Sequence, residues 1–132
     1  MTLFLNPAEQ SYARLGRDKA PAYVSWSEEN RSQLLRVPAA AGQYKRLELR
    51  SPDALANPYL AFALMIHASL DGIEREMALP APADVNLLRA DDKVLAQFEK
   101  LPATRKAAAK KAKRSDFIRA HVPEEVLAAY LK

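Results

Sequence analysis

The sequence predicts an α+β fold in which a small antiparallel sheet packs with C-terminal helices. Segments typical of strands, such as "RLELR", fall within residues 1–56, whereas apolar residues at helical spacing and residues typical of helix caps fall within residues 57–132. Strands and helices are therefore segregated along the chain, as in α+β proteins, and do not alternate as in α/β proteins. The length of 132 residues, 49% of them hydrophobic, suits one domain that covers residues 1–132.

The first half is predicted to contain a short helix and three strands. The helix covers residues 6–16, with Asn6 as a possible cap, Pro7 in the first turn and Gly16 at the end. Strand propensity then occurs in three segments, at residues 22–27, 33–38 and 44–50. The polar, turn-like "EENRS" separates the first two segments, which predicts a hairpin or two neighbouring strands with a longer turn.

The second half is predicted to be helical. Asn57 is a suitable cap for a helix over about residues 58–77, because Pro58 then occupies its first position. This helix is apolar on all faces up to Leu70, which predicts that it is buried. A Pro-rich loop follows, and four shorter helices are predicted near residues 91–100, 103–113, 115–120 and 124–131.

Composition excludes several kinds of site. The absence of cysteine excludes disulfides, thiolate metal sites and cysteine nucleophiles. Three glycines cannot build a Gly-rich phosphate loop, and no serine lies in a Gly-flanked nucleophile motif. The N-terminus has no basic leader, and the longest apolar run, residues 58–70, is shorter than the ~20 residues of a membrane span. We therefore expect a cytoplasmic chain with no membrane association.

The net charge of +4 comes from one basic segment, residues 100–119. This segment holds eight of the 20 Lys and Arg residues but one of the 16 Asp and Glu residues. Its core, "TRKAAAKKAKR", places Lys106, Lys110 and Lys113 on one helical face. A solvated helix face is the first interpretation, and a patch for an acidic partner or a phosphate backbone is the second. No aromatic residue is interleaved, so we predict no nucleic-acid ligand.

The strand at 44–50 carries an ordered row of charges. Arg46, Glu48 and Arg50 lie on one side of the extended chain, with leucines on the other. Three more arginines, Arg14, Arg31 and Arg36, lie in the same half of the sequence. Arginine is planar, permanently charged and bidentate, which suits phosphate and carboxylate ligands. Surface ion pairs remain the alternative, and Glu48 is either part of a charge ladder or one ligand of a metal such as Mg²⁺.

The two histidines are weaker signals. His67 falls among apolar residues of the long helix, where a core position is the simpler explanation than catalysis. His121 falls at a predicted helix end, where a favourable dipole position explains it.

Three strings of the sequence resemble the C-terminal part of the catalytic domain of glutamine synthetase. They are "NRSQLLRVP", "RLELRSPD" and "ANPYLAFALMIHASLDGIE", in this order, and the resemblance covers nearly all of residues 5–75. It implies a ligase that makes glutamine from glutamate, ammonia and ATP through a γ-glutamyl phosphate, with Mg²⁺ or Mn²⁺. It also implies an active site of antiparallel strands at a subunit boundary, and therefore a homo-oligomer.

The resemblance also assigns roles to six of the charged residues of the first half. Arg14 is implied to hold the substrate glutamate, and Arg50 to act at the glutamate and phosphoryl end. Arg31 and Arg36 are implied to bind ATP phosphates and help stabilise the transferring phosphoryl group, and Arg46 to contact the nucleotide. Glu48 is implied to be a metal ligand. Arg31 and Arg50 are thus the predicted catalytic residues.

The sequence departs from the family pattern in a loop, "LGRDKAP". The family usually has a glutamate before "AP", on a flap that takes a proton from ammonium, whereas here Lys19 occupies that place and Asp18 precedes it. Ala13 also replaces a lysine of the family motif. Either Asp18 substitutes, or the flap works differently, or the amine substrate is not ammonia.

Most metal ligands of the family lie upstream of the matching region, so we expect a C-terminal fragment. Residues 1–56 would form its active-site half and residues 57–132 its helical half. We expect it to be inactive without the remainder of its own ligase chain. Two alternatives stay open: a γ-glutamyl ligase that uses another amine, and a stand-alone, non-catalytic module that binds an anionic partner.

Overall fold

The three strands of the protein are short and form one mixed sheet, and helices and loops make up the rest of the chain. The structure, a computed structural model, describes all 132 residues. It divides into two compact units, each assembled from separated segments. The first comprises Met1–Tyr12, Pro52–Leu79 and Thr104–Lys132, and the second comprises Ala13–Ser51 and Pro80–Ala103. The α+β class predicted from the sequence is confirmed.

The second unit contains the sheet, in the order β1-β2-β3. The strands are β1 (Trp26–Ser27), β2 (Leu35–Arg36) and β3 (Glu48–Leu49), shorter than the predicted segments. β2 and β3 are antiparallel, as predicted, but β1 and β2 are parallel and do not form a hairpin. The seven residues between them turn the chain twice: Ser27 Oγ accepts from the Asn30 amide at 3.0 Å, and the Asn30 side chain accepts from the Ser32 amide at 3.0 Å.

Buried polar side chains form hydrogen bonds that hold the Pro-rich loop beside this sheet. The fully buried Gln33 donates from Nε2 to the carbonyls of Ala83 and Val85, at 2.7 and 2.8 Å. Ser32 Oγ accepts from the Leu87 amide at 2.9 Å. A loop held at its backbone in this way needs no regular secondary structure of its own.

The first unit packs its helices around the N-terminal segment. α1 (Thr2–Leu5) buries Leu3, Phe4 and Leu5, and a 3₁₀ helix follows at Glu9–Arg14. The single helix predicted over 6–16 is therefore wrong. Asn6 ends α1 instead of starting a helix, since its backbone amide and its side chain both donate to the Thr2 carbonyl.

The long helix α2 (Pro58–Glu74) begins as predicted. Asn57 Oδ1 accepts from the amides of Tyr59 and Leu60, and Pro58 occupies the first turn. The prediction that the helix is buried is wrong for this chain, because within it only Ala61 and Leu64 are buried. Five large apolar residues elsewhere around the helix are exposed: Tyr59, Phe62, Ile66, Leu70 and Ile73.

The remaining helices are short and mostly capped by side chains. They are α3 (Asp92–Leu95), α4 (Arg105–Lys113), α5 (Asp116–His121) and α6 (Glu124–Leu131). Thr104 and Ser115 cap α4 and α5, the latter as predicted. No helix is both long and apolar enough to cross a bilayer.

Candidate active site

Three guanidinium groups surround the carboxylate of Glu48. Arg36 donates from Nη1 to Glu48 Oε2 at 3.0 Å, and Arg46 donates from Nε to Glu48 Oε1 at 3.2 Å. Arg50 Nη1 lies 3.9 Å from the same Oε2 atom. Arg46 and Arg50 are neighbours of Glu48 along one strand face, whereas Arg36 reaches it from the adjacent strand. The register of β2 and β3 pairs Arg36 directly with Glu48.

This environment keeps Glu48 ionised. The hydrogen bond from Arg36 is the largest effect and, with that from Arg46, it holds the pKa of the Glu48 carboxyl below its ordinary value of 4.5, against partial desolvation. The Glu48 side chain is 28% exposed, so an external ligand can reach it. One anion facing three cations leaves the cluster with excess positive charge, which favours a further anionic group.

Arg50 connects this cluster to two neighbouring segments. Its Nε donates to the Arg31 carbonyl at 3.0 Å, and its Nη2 donates to the Lys19 carbonyl at 3.1 Å. Backbone carbonyls thus fix the guanidinium plane while Nη1 stays directed at Glu48. Arg36 is held similarly, since its Nε donates to the Glu29 carbonyl at 3.2 Å. These carbonyls are the components that sequence reasoning missed, because a backbone group leaves no signal in residue identity.

Arg31 and Arg14 are placed differently. The Arg31 side chain is exposed and makes no hydrogen bond or ion pair within the chain, so its guanidinium is available to a ligand. Arg14 is half-buried and donates from Nη2 to the carbonyl of Ser51, the residue that follows Arg50. The structure therefore brings Arg36, Arg46, Glu48 and Arg50 together directly, and it links Arg31 and Arg14 to them through the main chain beside Arg50.

The loop that carries Lys19 is a tight turn. Gly16, Asp18 and Lys19 have φ values of +82°, +48° and +70°, and the Gly16 amide donates to the Ala20 carbonyl at 3.0 Å. Left-handed backbone is uncommon outside glycine, so two such residues in succession mark a specifically shaped turn. Because of this turn, the Lys19 carbonyl faces Arg50, while the Asp18 and Lys19 side chains are exposed.

An open groove of about 590 Å³ borders the cluster at Arg46. Its lining comprises Glu28, Val37, Pro38, Ala39, Ala40, Lys45, Arg46 and Leu47. The volume is within the usual range for small-molecule sites, and the mixture of apolar residues and two cations suits a ligand with both an apolar and an anionic part.

A divalent metal does not fit these residues alone. No group of three or more His, Asp or Glu side chains converges anywhere in the chain. Glu48 is one carboxylate, and both of its oxygens are engaged by arginines, whereas Mg²⁺ requires six oxygen ligands in near-octahedral geometry. The two histidines do not contribute either: His67 and His121 stack on each other, with ring centroids 4.2 Å apart.

Fold and site together define an α+β protein with an arginine-rich face of excess positive charge. The chain belongs to the family of glutamine synthetase catalytic domains, whose sequence model matches residues 1–132. It is 43% identical to glutamine synthetase of Methanosarcina mazei over 133 residues, which is 98% of this chain and 30% of that protein. It is also 43% identical to glutamine synthetase of Thermotoga maritima over 116 residues, 86% of this chain and 26% of that protein.

A solved structure described as a GmaS/ADP complex has a similar fold. Its TM-score is 0.82 at 29% sequence identity, over 98% of this chain and 30% of that one. The present chain thus spans between 26 and 30% of the length of these three relatives.

Proposed function

We propose that this chain is the C-terminal part of an ATP-dependent glutamate–ammonia ligase, which forms glutamine through a γ-glutamyl phosphate. The observation that carries this proposal is the Glu48 carboxylate held among three guanidiniums, in a chain that matches the family along its whole length. Phosphoryl transfer needs little covalent help from the protein, and it depends on positioning and on cations that absorb developing charge.

The proposed roles follow the placement of each cation. Arg31 and Arg50 are the catalytic residues: the first is unpaired and exposed, and the second is fixed in orientation by two carbonyls. Arg31, Arg36 and Arg46 bind the nucleotide, and the groove beside Arg46 has room for its uncharged part. Arg14 and Arg50 bind the substrate glutamate; the Ser51 carbonyl that accepts from Arg14 directly follows Arg50.

Glu48 is proposed as one ligand of a Mg²⁺ or Mn²⁺ ion whose other ligands come from outside these 132 residues. One carboxylate cannot complete that site, so we propose that the isolated chain is inactive. Activity then requires the remainder of a ligase chain, in a homo-oligomer that completes each site.

A chimera tests the proposal. Residues 1–132 replace the matching segment of the Methanosarcina mazei enzyme, and ATP-dependent glutamine formation is measured with Mg²⁺ or Mn²⁺. We expect the chimera to be active and the isolated chain to be inactive. Glu48→Ala and Arg50→Ala should each lower kcat/KM by about 100-fold, since each removes a charge from the reacting centre.

The matched controls are Glu74→Ala and Arg75→Ala, because both residues are exposed and lie at the end of α2. Each control should retain activity within about two-fold, as is usual for surface substitutions. Glutamine formation by the isolated chain, or a chimera in which Glu48→Ala and Glu74→Ala are equally active, would refute the proposal.

A second candidate, a γ-glutamyl ligase for an amine other than ammonia, is favoured by Lys19. An exposed cation in the turn that contacts Arg50 would repel ammonium instead of attracting it. We expect Lys19→Glu to lower the KM of the chimera for ammonium. A screen of primary amines on the unsubstituted chimera separates the candidates: faster turnover with another amine than with ammonium would select the second.

A further inference from the structure

The basic helix α4 forms one wall of a groove that the ligase proposal does not use. The groove has a volume of about 560 Å³ and is lined by Thr104, Lys106, Ala107, Ala109, Lys110, Lys113 and Leu131. A second groove of about 460 Å³ shares Lys113 and Leu131 with it and extends along α6 past Leu127. The two form a continuous channel, the α4–α6 groove, within the first unit of the structure.

One rim of the α4–α6 groove is a row of unpaired lysines. Lys106, Lys110 and Lys113 are exposed, and none has a carboxylate within ion-pair distance. They recur at i, i+4 and i+7, so they span about 10.5 Å along the helix axis. Two other cations nearby are engaged within the chain: Arg105 donates to the Pro7 and Tyr130 carbonyls, and Arg119 pairs with Asp116.

Helix stability does not account for this row. Lys110 and Lys113 lie in the last turn of α4, where cations stabilise the helix dipole. Lys106 lies in the first turn, where a cation is unfavourable, and α4 has no acidic residue there to offset it. The buried residues of this helix are Ala108 and Ala112, and both lie on the side away from the lysine row.

The floor of the groove is apolar. Ala107, Ala109 and Leu131 line its first part, and Val122, Leu127 and Ala128 line the second. Arg119 and Glu124 complete the lining of the second part, so the lysine-rich first part is the one free of carboxylates. No aromatic ring lines either part, so the groove offers no stacking surface for bases. A cationic rim over an apolar floor matches an amphipathic helix whose carboxylates recur at the lysine spacing.

We propose that the α4–α6 groove is a docking site for an acidic amphipathic helical segment of a partner protein. The partner helix lies along α4 and places carboxylates beside Lys106, Lys110 and Lys113. Its apolar residues cover Ala107, Leu131 and Leu127. The proposal concerns none of the residues assigned to ligation, so either one can fail without the other.

The test uses the 132-residue chain and a fluorescent designed helix of about five turns. The helix carries Glu at i, i+4 and i+7 with Leu on the adjacent stripe, and binding is followed by anisotropy at low and high salt. A second helix has Gln in place of every Glu, and single- and double-stranded DNA of similar charge serve as competing probes. We expect the Glu helix to bind, to weaken with salt, and to bind more tightly than the Gln helix or either DNA.

Two variants locate the site. Lys106→Gln/Lys110→Gln/Lys113→Gln should lower the affinity by about ten-fold, because three exposed ion pairs are lost together. The matched control, Arg17→Gln/Arg89→Gln/Lys93→Gln, removes the same charge from exposed positions elsewhere and should change the affinity by less than about two-fold. Leu131→Ala, checked for folding by circular dichroism, should weaken binding without changing its salt dependence.

The outcomes are decisive in each direction. Loss of binding in the α4 variant but not in the control supports the docking site. Equal losses in both variants, or no binding of the Glu helix at low salt, would overturn it. Tighter binding of DNA than of the Glu helix would also overturn it and assign the groove to nucleic acid.

Discussion

At the scale of single residues, the ion-pair cluster makes Glu48 a stronger acid. The Arg36 hydrogen bond lowers its pKa, so the contribution of the cluster to folding is fully present above pH 4.5 and is lost as pH falls through the lowered pKa. We predict that a ¹³C NMR titration of the Glu48 carboxyl gives a pKa below 4.5. Arg36→Ala should raise that pKa more than Arg46→Ala does, since Arg36 is its main donor.

The control is Arg75→Ala, which removes an exposed arginine paired with Asp71. It should leave the Glu48 titration unchanged. A Glu48 pKa that responds equally to Arg36→Ala and Arg75→Ala would show that net charge, and not the cross-strand hydrogen bond, governs this carboxyl.

Tyr12 gives a prediction at alkaline pH. Burial, the largest effect, raises its pKa to about 12, and its hydroxyl has no hydrogen-bond partner. Tyrosine in the unfolded chain ionises near pH 10, so the Tyr12 hydroxyl does not make stability depend on pH below pH 10, and it lowers stability as pH rises from 10 towards 12. Tyr12→Phe should therefore flatten the loss of stability across this interval, as measured by denaturant unfolding at several pH values.

Tyr12→Phe should also raise the free energy of unfolding at neutral pH by about 1 kcal/mol, because it removes a buried hydroxyl that is not hydrogen-bonded. Tyr44→Phe is the matched control, since Tyr44 is 69% exposed. Equal effects of the two substitutions would contradict the environment assigned to Tyr12.

The part of the charged cluster that lies on one strand was predictable from the sequence, because local backbone geometry determines it. The alternation of Arg46, Glu48 and Arg50 follows from the two-residue period of an extended chain. The contact between Arg36 and Glu48 was not predictable, because the two residues are 12 positions apart in the sequence and meet only through the register of their two strands. The Lys19 carbonyl that orients Arg50 depends on a turn with two left-handed residues that are not glycine, and the sequence does not specify such a turn.

At the scale of elements, the cap of α2 is a separable stabilising feature. Asn57 Oδ1 accepts from the amides of Tyr59 and Leu60 at 3.0 and 3.2 Å, which satisfies two donors of the first turn. We predict that Asn57→Ala lowers the free energy of unfolding by about 1 kcal/mol, whereas Asn57→Ser preserves most of it. Denaturant unfolding measures both, and equal losses would show that the side-chain oxygen is not the stabilising group.

Helix ends were easier to predict than sheet pairing for a physical reason. Asn57 with Pro58, and Ser115 before α5, are signals that act within one turn. The parallel pairing of Trp26 with Leu35 arises from side-chain bonds of Ser27 and Asn30 that turn the chain twice. No local propensity encodes that path: the hairpin alternative is wrong, and the alternative of two neighbouring strands with a longer turn is confirmed.

At the scale of the whole molecule, the largest departure from expectation is the exposure of α2. Tyr59, Phe62 and Ile66 recur at i, i+3 and i+7 on one stripe and are 84, 64 and 58% exposed. The sequence predicted burial because this helix is apolar on all faces up to Leu70, but burial also needs a covering surface. Patterns within one segment do not reveal whether 132 residues can supply that surface.

The isolated chain should therefore self-associate through this stripe. A second copy offers an equivalent apolar surface, and association removes both from water. Sedimentation velocity should show a mass that rises with concentration, and Phe62→Glu/Ile66→Glu should shift the equilibrium towards monomer. Gln10→Glu/Gln97→Glu adds the same negative charge at exposed polar positions and should leave the association unchanged. A mass independent of concentration, or equal effects of both pairs, would mean that the stripe does not drive assembly.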